Sequence, residues 1–309
     1  MGRDSAGYTS GSAIPKSHPG ERPAERSVPN ATCPPARGRE LAVKDSGDDE
    51  PVSFYLEPEP GRFRPTQHTA GPWGPDSQHG APPAALLARA IERLDRETPR
   101  VVGRFTMELL GPVPVAPVRV EASVLRPGRT VELCEAVLYD ERRDRACAKA
   151  TAWLFPESAD GPADEPTPLP HGPDDGVTHE RPPGWSPGYM EAVDWRWAEG
   201  AVTQPGPAVV WMRPNVPLVD DEPLSPLQRL LVCADSGNGA SAALDTREWT
   251  FLNTDLSVHI LRPPTGEWVC LSAETVLGGG SVGIACARLH DERGLTARSA
   301  QALLLARRR

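Results

Sequence analysis

The chain has 309 residues, 39% of them hydrophobic, and a formal net charge of −9. That length suits two domains or one large one. The acidic balance, with no Lys/Arg block before the terminal Arg307–Arg309, argues against nucleic-acid binding, which needs clustered positive charge.

Residues 1–50 are rich in Pro, Gly, Ser and charge and have almost no large apolar side chains. They cannot bury enough surface to offset ordering entropy, and a disordered tail is expected. The start, MGRDSAGYTSGS, lacks the apolar stretch of a secretory signal, and no run of 18 or more apolar residues follows. The expectation is a cytoplasmic protein without a membrane partner. The six cysteines (Cys33, Cys134, Cys147, Cys233, Cys270, Cys286) show no CxxC spacing. They read as reduced thiols, several of them buried, with no metal site and no cofactor implied.

A first folded block is expected over residues 51–155. HGAPPAALLARAIERL (79–94) has apolar residues at helical spacing, with Pro82 and Pro83 suited to the first turn. Strands are expected at 101–110, 117–126, 130–140 and 145–155, with turns at Pro127-Gly128 and Glu141–Asp144. Residues 156–188 are dense in Pro, Gly and Asp and read as a linker. A second block over 189–309 repeats the pattern. Ser225 caps a helix that Pro226 opens and that runs to about Ala234. WTFLNTDLSVHIL, EWVCLSAETVL, SVGIACARLHD and LTARSAQALLL follow as strands.

The blocks match at an offset of 151 residues: Pro112 on Pro263, Ala122 on Ala273, Ala136 on Ala287, and Asp140-Glu141-Arg142 on Asp291-Glu292-Arg293. This points to an internal duplication. A helix and then antiparallel strands, done twice, implies an α+β fold in which each sheet wraps its own helix. Further pairing of copies through exposed sheet edges is compatible with such a fold.

The stretches HGAPPAALLARAIE, PLSPLQRLLVCADSGNG, FLNTDLSVHILRPPTGEWV and ARSAQALLL resemble the thioesterase-like superfamily, whose best-understood members are type II acyl-CoA thioesterases. The resemblance implies a tandem (double) hotdog, each antiparallel sheet wrapped around a central helix. It implies hydrolysis of acyl-CoA or acyl-carrier-protein thioesters. By motif position it places the catalytic residues on Asp235, Asn253 and Gln301. Asn253 departs from the Thr found in many type II enzymes.

The residues read the same way physically. Asp235 follows Leu231 by four and Val232 by three, so it shares the packed side of its helix. Burial, the negative helix end and scarce nearby cations should raise its pKa and make it a better base at neutral pH. Gly237 and Gly239 suit a left-handed exit from the helix. The alternative is that Asp235 only turns the chain. Asn253 and Gln301 are expected to hold a water through their amides. The start of the first helix, at Gly80, is expected to offer backbone donors to the oxyanion. His79 is a candidate donor to the thioester. Asp255 and His259, counted at period two from Asn253, are expected on the same face and in the same cleft. Arg262 reads as the mark of a strand bend, with contact to a CoA phosphate as the alternative. Trp195 and Trp197 read as core and surface on a first strand rather than as an acyl clamp.

Two other functions stay open. One is a non-catalytic acyl-thioester-binding or biosynthetic protein on the same fold. The other is an enoyl-thioester hydratase or dehydratase, disfavoured because Asp255/His259 is the only suitable pair and no Asn-Pro dipeptide exists. No GxSxG motif supports a serine hydrolase.

Overall fold

The helix expected at 79–94 runs Ala81–Glu92 (α1) in the computed structural model, which describes residues 52–158, 160–202 and 204–308. The expected tail over 1–50 lies outside those residues. α1 is buried almost all round, as its apolar composition requires of a central helix. Its one buried charged side chain, Arg89, is matched by Glu57 at 2.6 Å and Glu222 at 2.7 Å.

A hairpin of β1 (Tyr55–Glu59) and β2 (Arg62–Pro65) precedes α1, and β3 (Arg100–Leu109), β4 (Val118–Arg126), β5 (Glu132–Asp140) and β6 (Arg145–Pro156) follow. The inner face of β5 and β6 carries Ala136, Ala148, Ala150 and Ala152, all fully buried. These small side chains let α1 lie close to the sheet.

The second half repeats this plan. A short helix, α2 (Gly188–Glu191), and a hairpin of β7 (Val193–Ala201) and β8 (Gln204–Pro214) lead to α3 (Pro226–Ala234). Ser225 forms the expected cap: its Oγ accepts from Gln228 N at 3.1 Å, and the Gln228 side chain accepts from Ser225 N at 3.3 Å. Then come α4 (Gly237–Ala240), β9 (Trp249–Asn253), β10 (Asp255–Ile260), β11 (Val269–Leu277), β12 (Val282–Asp291) and β13 (Gly294–Arg307).

One antiparallel sheet joins the halves in the order β1-β2-β4-β5-β6-β3-β10-β13-β12-β11-β8-β7, with β9 also paired to β13. Read from the central β3–β10 pair outward, the two halves mirror each other. Thr106 and Ser257 are Cα partners across that seam, and they are 151 residues apart. Ala122 pairs with Ala136, and Ala273 pairs with Ala287. The offset in the sequence is therefore a pseudo-twofold in space. Each half-sheet wraps one helix, which is a tandem hotdog of the α+β class.

Three details differ from the expectations. Each helix has a hairpin ahead of it, of which only the strand at Trp195–Trp197 is expected; prolines mask the pattern of β1, β2 and β8. WTFLNTDLSVHIL is two strands, broken at Thr254. Gly237 and Gly239 take no left-handed conformation; the chain continues into α4 instead. The segment 156–188 holds no strand beyond Pro156, but it is tied down: Asp164 pairs with Arg262 at 3.1 Å, and the His171 carbonyl accepts from Trp211 Nε1 at 3.1 Å.

Candidate active site

The two helices run antiparallel. The start of α1 meets the end of α3, and at the far end Ser225 Oγ donates to Glu92 Oε1 at 2.8 Å. At the near end Asp235 follows α3 and is only 3% exposed. Asn253 Nδ2 donates to its Oδ1 at 2.8 Å, and Gln301 Nε2 donates to the same oxygen at 3.0 Å. The three side chains expected from the resemblance therefore form one hydrogen-bonded cluster.

Burial pushes the Asp235 carboxyl up to about 7; the amides of Asn253 and Gln301 and the Gly80 backbone pull it down, and the nearby Asp255 charge adds to the rise. The amide nitrogens have little left for a water. Nδ2 of Asn253 also faces the Asp255 carbonyl at 3.3 Å, and Nε2 of Gln301 also donates to the Asp235 carbonyl at 3.1 Å. Gln301 Oε1 accepts from Asn238 N at 3.0 Å. In this geometry the amides clamp the acid. A side chain at Gly237 would come within 3.1 Å of Gln301 Oε1, so glycine there makes room for the clamp.

His79 and Gly80 reach the same place from the other half. A Cβ on Gly80 would lie 2.6 Å from Asp235 Oδ2. His79 Nδ1 accepts from Ala81 N at 3.1 Å and lies 3.4 Å from Asp235 Oδ2. Burial lowers the imidazole pKa to about 3. The ring is therefore neutral, its 3.4 Å approach is not an ion pair, and its proton sits on Nε2. The ring stacks on Tyr189 at 3.9 Å between centroids. The start of α1 is not the row of amide donors expected for an oxyanion. Pro82 and Pro83 have no N–H, and the Ala81 N–H is taken by His79.

Asp255 and His259 do not face this cluster. Asn253 pairs with Leu303, whereas Ser257 pairs with Ala300, so one extra residue enters at Thr254. This bulge inverts the alternation. Leu256 and Val258 point into the core, and Asp255, Ser257 and His259 point outward. His259 is exposed opposite Arg104 and Arg298. Asp255 accepts from Ala302 N at 2.8 Å. The Asp/His pair that a hydratase would use thus lies on the outer face of the sheet. Arg262, the candidate for phosphate contact, is locked by Asp291 at 2.5 and 2.6 Å.

Beside His79 lies a narrow cavity of about 50 Å³ lined by Trp73, Trp185, Tyr189, Trp195, Trp197 and Phe251 among others. Trp195 and Trp197 stack at 6.3 Å; Trp197 is buried in the core and Trp195 packs against it, as expected, and both also border this slot. Four of the chain's eight tryptophans line it, and the density of aromatics at 185–197 is the sequence signal for it. Among the described residues, no group of three or more His, Cys, Asp or Glu is placed to hold a metal ion.

Two family profiles match the chain: the acyl-CoA thioesterase N-terminal domain over residues 69–155 and the acyl-CoA thioesterase C-terminal domain over residues 173–305. The chain belongs to the acyl-CoA thioesterase family. Among solved structures, this acyl-CoA thioesterase family member is similar to acyl-CoA thioesterase II TesB2 from Mycobacterium marinum, at 15% identity and TM-score 0.59, over 82% of this chain and 96% of that one. It is similar to a hot dog fold protein from Alicyclobacillus acidocaldarius at 15% identity and TM-score 0.62, over 82% and 97%. A Mycobacterium avium subs paratuberculosis tesB protein matches at 16% identity and TM-score 0.58, over 82% and 96%. At these identities the likeness concerns the fold. No curated protein sequence matches the chain.

Proposed function

We propose that this member of the acyl-CoA thioesterase family hydrolyses acyl-CoA thioesters by general-base activation of water at Asp235. The observation that carries the reading is the buried carboxyl, raised to about 7, clamped through one oxygen by Asn253 and Gln301. With Oδ1 occupied by two donors, Oδ2 is the oxygen left to take a proton. Asn253 Oδ1 makes no hydrogen bond among the described residues, and it gives a water a second acceptor. The water is held by Asp235 and Asn253, while Gln301 positions the acid.

The neutral His79 carries its proton on Nε2, which makes no hydrogen bond among the described residues. It is the donor we assign to the thioester oxygen, where charge develops during attack. Water adds to the carbonyl carbon as Asp235 takes its proton. The tetrahedral intermediate then expels the thiolate, which recovers that proton, leaving acid and free CoA. No covalent enzyme intermediate is needed. The aromatic slot takes the acyl group, and its small volume suits a short one.

Free-thiol release from acetyl-, butyryl- and palmitoyl-CoA tests this. Turnover is expected with the short substrates, with loss of about a thousandfold or more in Asp235→Asn. Unchanged hydrolysis in that variant removes Asp235 from the chemistry.

A further inference from the structure

The pseudo-twofold builds a second cleft at the opposite end of the helix pair, where α1 ends and α3 begins. It has a volume of about 660 Å³. Its floor is the apolar counterpart of the site described above. In the second half Asn253 pairs with Leu303; in the first, Val102 pairs with Leu154, and the same bulge follows at Gly103 as at Thr254. Gln301 pairs with Ala285, and the matching pair is Ala152 with Cys134. Val102 and Ala152 thus stand where Asn253 and Gln301 stand in the other cleft. Leu94, Val102, Leu154, Leu227, Leu230 and Ile260 line the cavity.

The rim is charged and mostly compensated. Arg93 pairs with Glu222 at 2.7 Å, Arg96 pairs with Glu132 at 2.8 Å, and Glu92 accepts from Ser225 and Gln228. Arg100 is different. Its Nη2 reaches the Gly128 carbonyl at 2.7 Å, but its Nη1 is buried without a hydrogen-bond partner. Among the described residues it forms no ion pair. Arg100 borders the apolar cavity, and a guanidinium there without a carboxylate partner calls for an anion, which reaches it once the side chain turns toward the cleft. Asp95 is the rim acid with neither an ion pair nor a hydrogen bond among the described residues, and it opposes such a ligand.

We propose that this second cleft is a non-catalytic binding site for an aliphatic chain with an anionic head, the tail on the apolar floor and the head on Arg100. Its volume falls in the range of small-molecule sites and far exceeds that of the slot beside His79. The chemistry is shared by a free fatty acid and a long-chain acyl-CoA. The proposal goes beyond the hydrolysis assigned above and does not depend on it.

Equilibrium dialysis of the full chain against radiolabelled palmitate and against S-hexadecyl-CoA, a thioether that cannot be hydrolysed, tests it. Saturable binding of either probe is expected in wild type and in Asp235→Asn alike; palmitate alone identifies the acid as the source, and S-hexadecyl-CoA alone the CoA ester. Leu227→Trp, which narrows the cleft, and Arg100→Gln, which removes the head contact, should each weaken binding by about tenfold or more. Asp95→Asn should tighten it. No saturable binding of either probe, or binding unchanged in both Leu227→Trp and Arg100→Gln, overturns the proposal. Arg100→Gln leaves the floor intact, so the test stands even where Leu227→Trp does not fold. Failure of the hydrolysis reading shows separately, as thiol release that survives Asp235→Asn.

Discussion

Asp235 Oδ2 sits 2.6 Å from the point a Cβ on Gly80 would occupy, so the acid of one half rests directly on the backbone of the other. Gly80 has φ −68°, a conformation any residue adopts, so only space requires glycine here. Gly80→Ala should keep the fold and displace the carboxylate, lowering kcat/KM by about a hundredfold. Circular dichroism alongside thiol-release kinetics checks this, and full activity in Gly80→Ala contradicts the placement of the acid.

The pH dependence of kcat/KM should rise with an apparent pKa near 7 as Asp235 loses its proton. His79, neutral down to about 3, adds no limb in the neutral range. The two amides hold the Asp235 pKa down, so Asn253→Ala and Gln301→Ala should both move the midpoint to higher pH while lowering the plateau. A profile that keeps its midpoint in both variants assigns the ionisation to another group.

Stability should follow the same carboxyl. Its pKa is raised in the fold from 3.8 to about 7, so between those values the folded chain holds a proton the unfolded chain has lost. Stability from this group is then present at low pH, falls as pH rises from about 4 to about 7, and is flat above that. Each pH unit across that window weighs about 1.4 kcal/mol, and the loss is on the order of 2–4 kcal/mol. Asp235→Asn should be more stable than wild type at pH 8 and should lose this slope. Urea melts across pH measure it; parallel curves for the two proteins rule it out.

Arg89 is 3% exposed and serves Glu57 and Glu222 at once. Arg89→Ala removes the ion-pair partner of Glu57 and leaves Glu222 to Arg93 alone, and should cost about 2–4 kcal/mol. Arg89→Met with Glu57→Gln and Glu222→Gln should recover much of that, read from urea midpoints.

Much of this was legible from residues alone, for physical reasons. Helix α1 and the strands β3 to β6 announce themselves by periodic apolar positions, and the DER triplets mark equivalent turns. The cluster of Asp235, Asn253 and Gln301 was legible only through the family resemblance, not through any pattern of the residues themselves. The facing of Asp255 and His259 does not, because one inserted residue at Thr254 reverses every later side chain and leaves no mark in composition. The hairpin β1–β2 hides behind Pro58, Pro60 and Pro65, and β8 behind Pro205, Pro207 and Pro214, whereas β7 shows in its Trp195-Arg196-Trp197 alternation. The aromatic slot gathers Trp73 with residues more than a hundred positions later, a contact no local pattern reveals. Gly237 reads as a turn former, yet what it supplies is room for Gln301.

The seam between β3 and β10 has a historical corollary. His79 and Gly80 come from one copy of the repeat, and Asp235, Asn253 and Gln301 from the other, so a single-repeat ancestor needed a self-associated pair to own either workplace. The opposite end of the helix pair keeps the same architecture but carries Val102 and Ala152 at the matching positions.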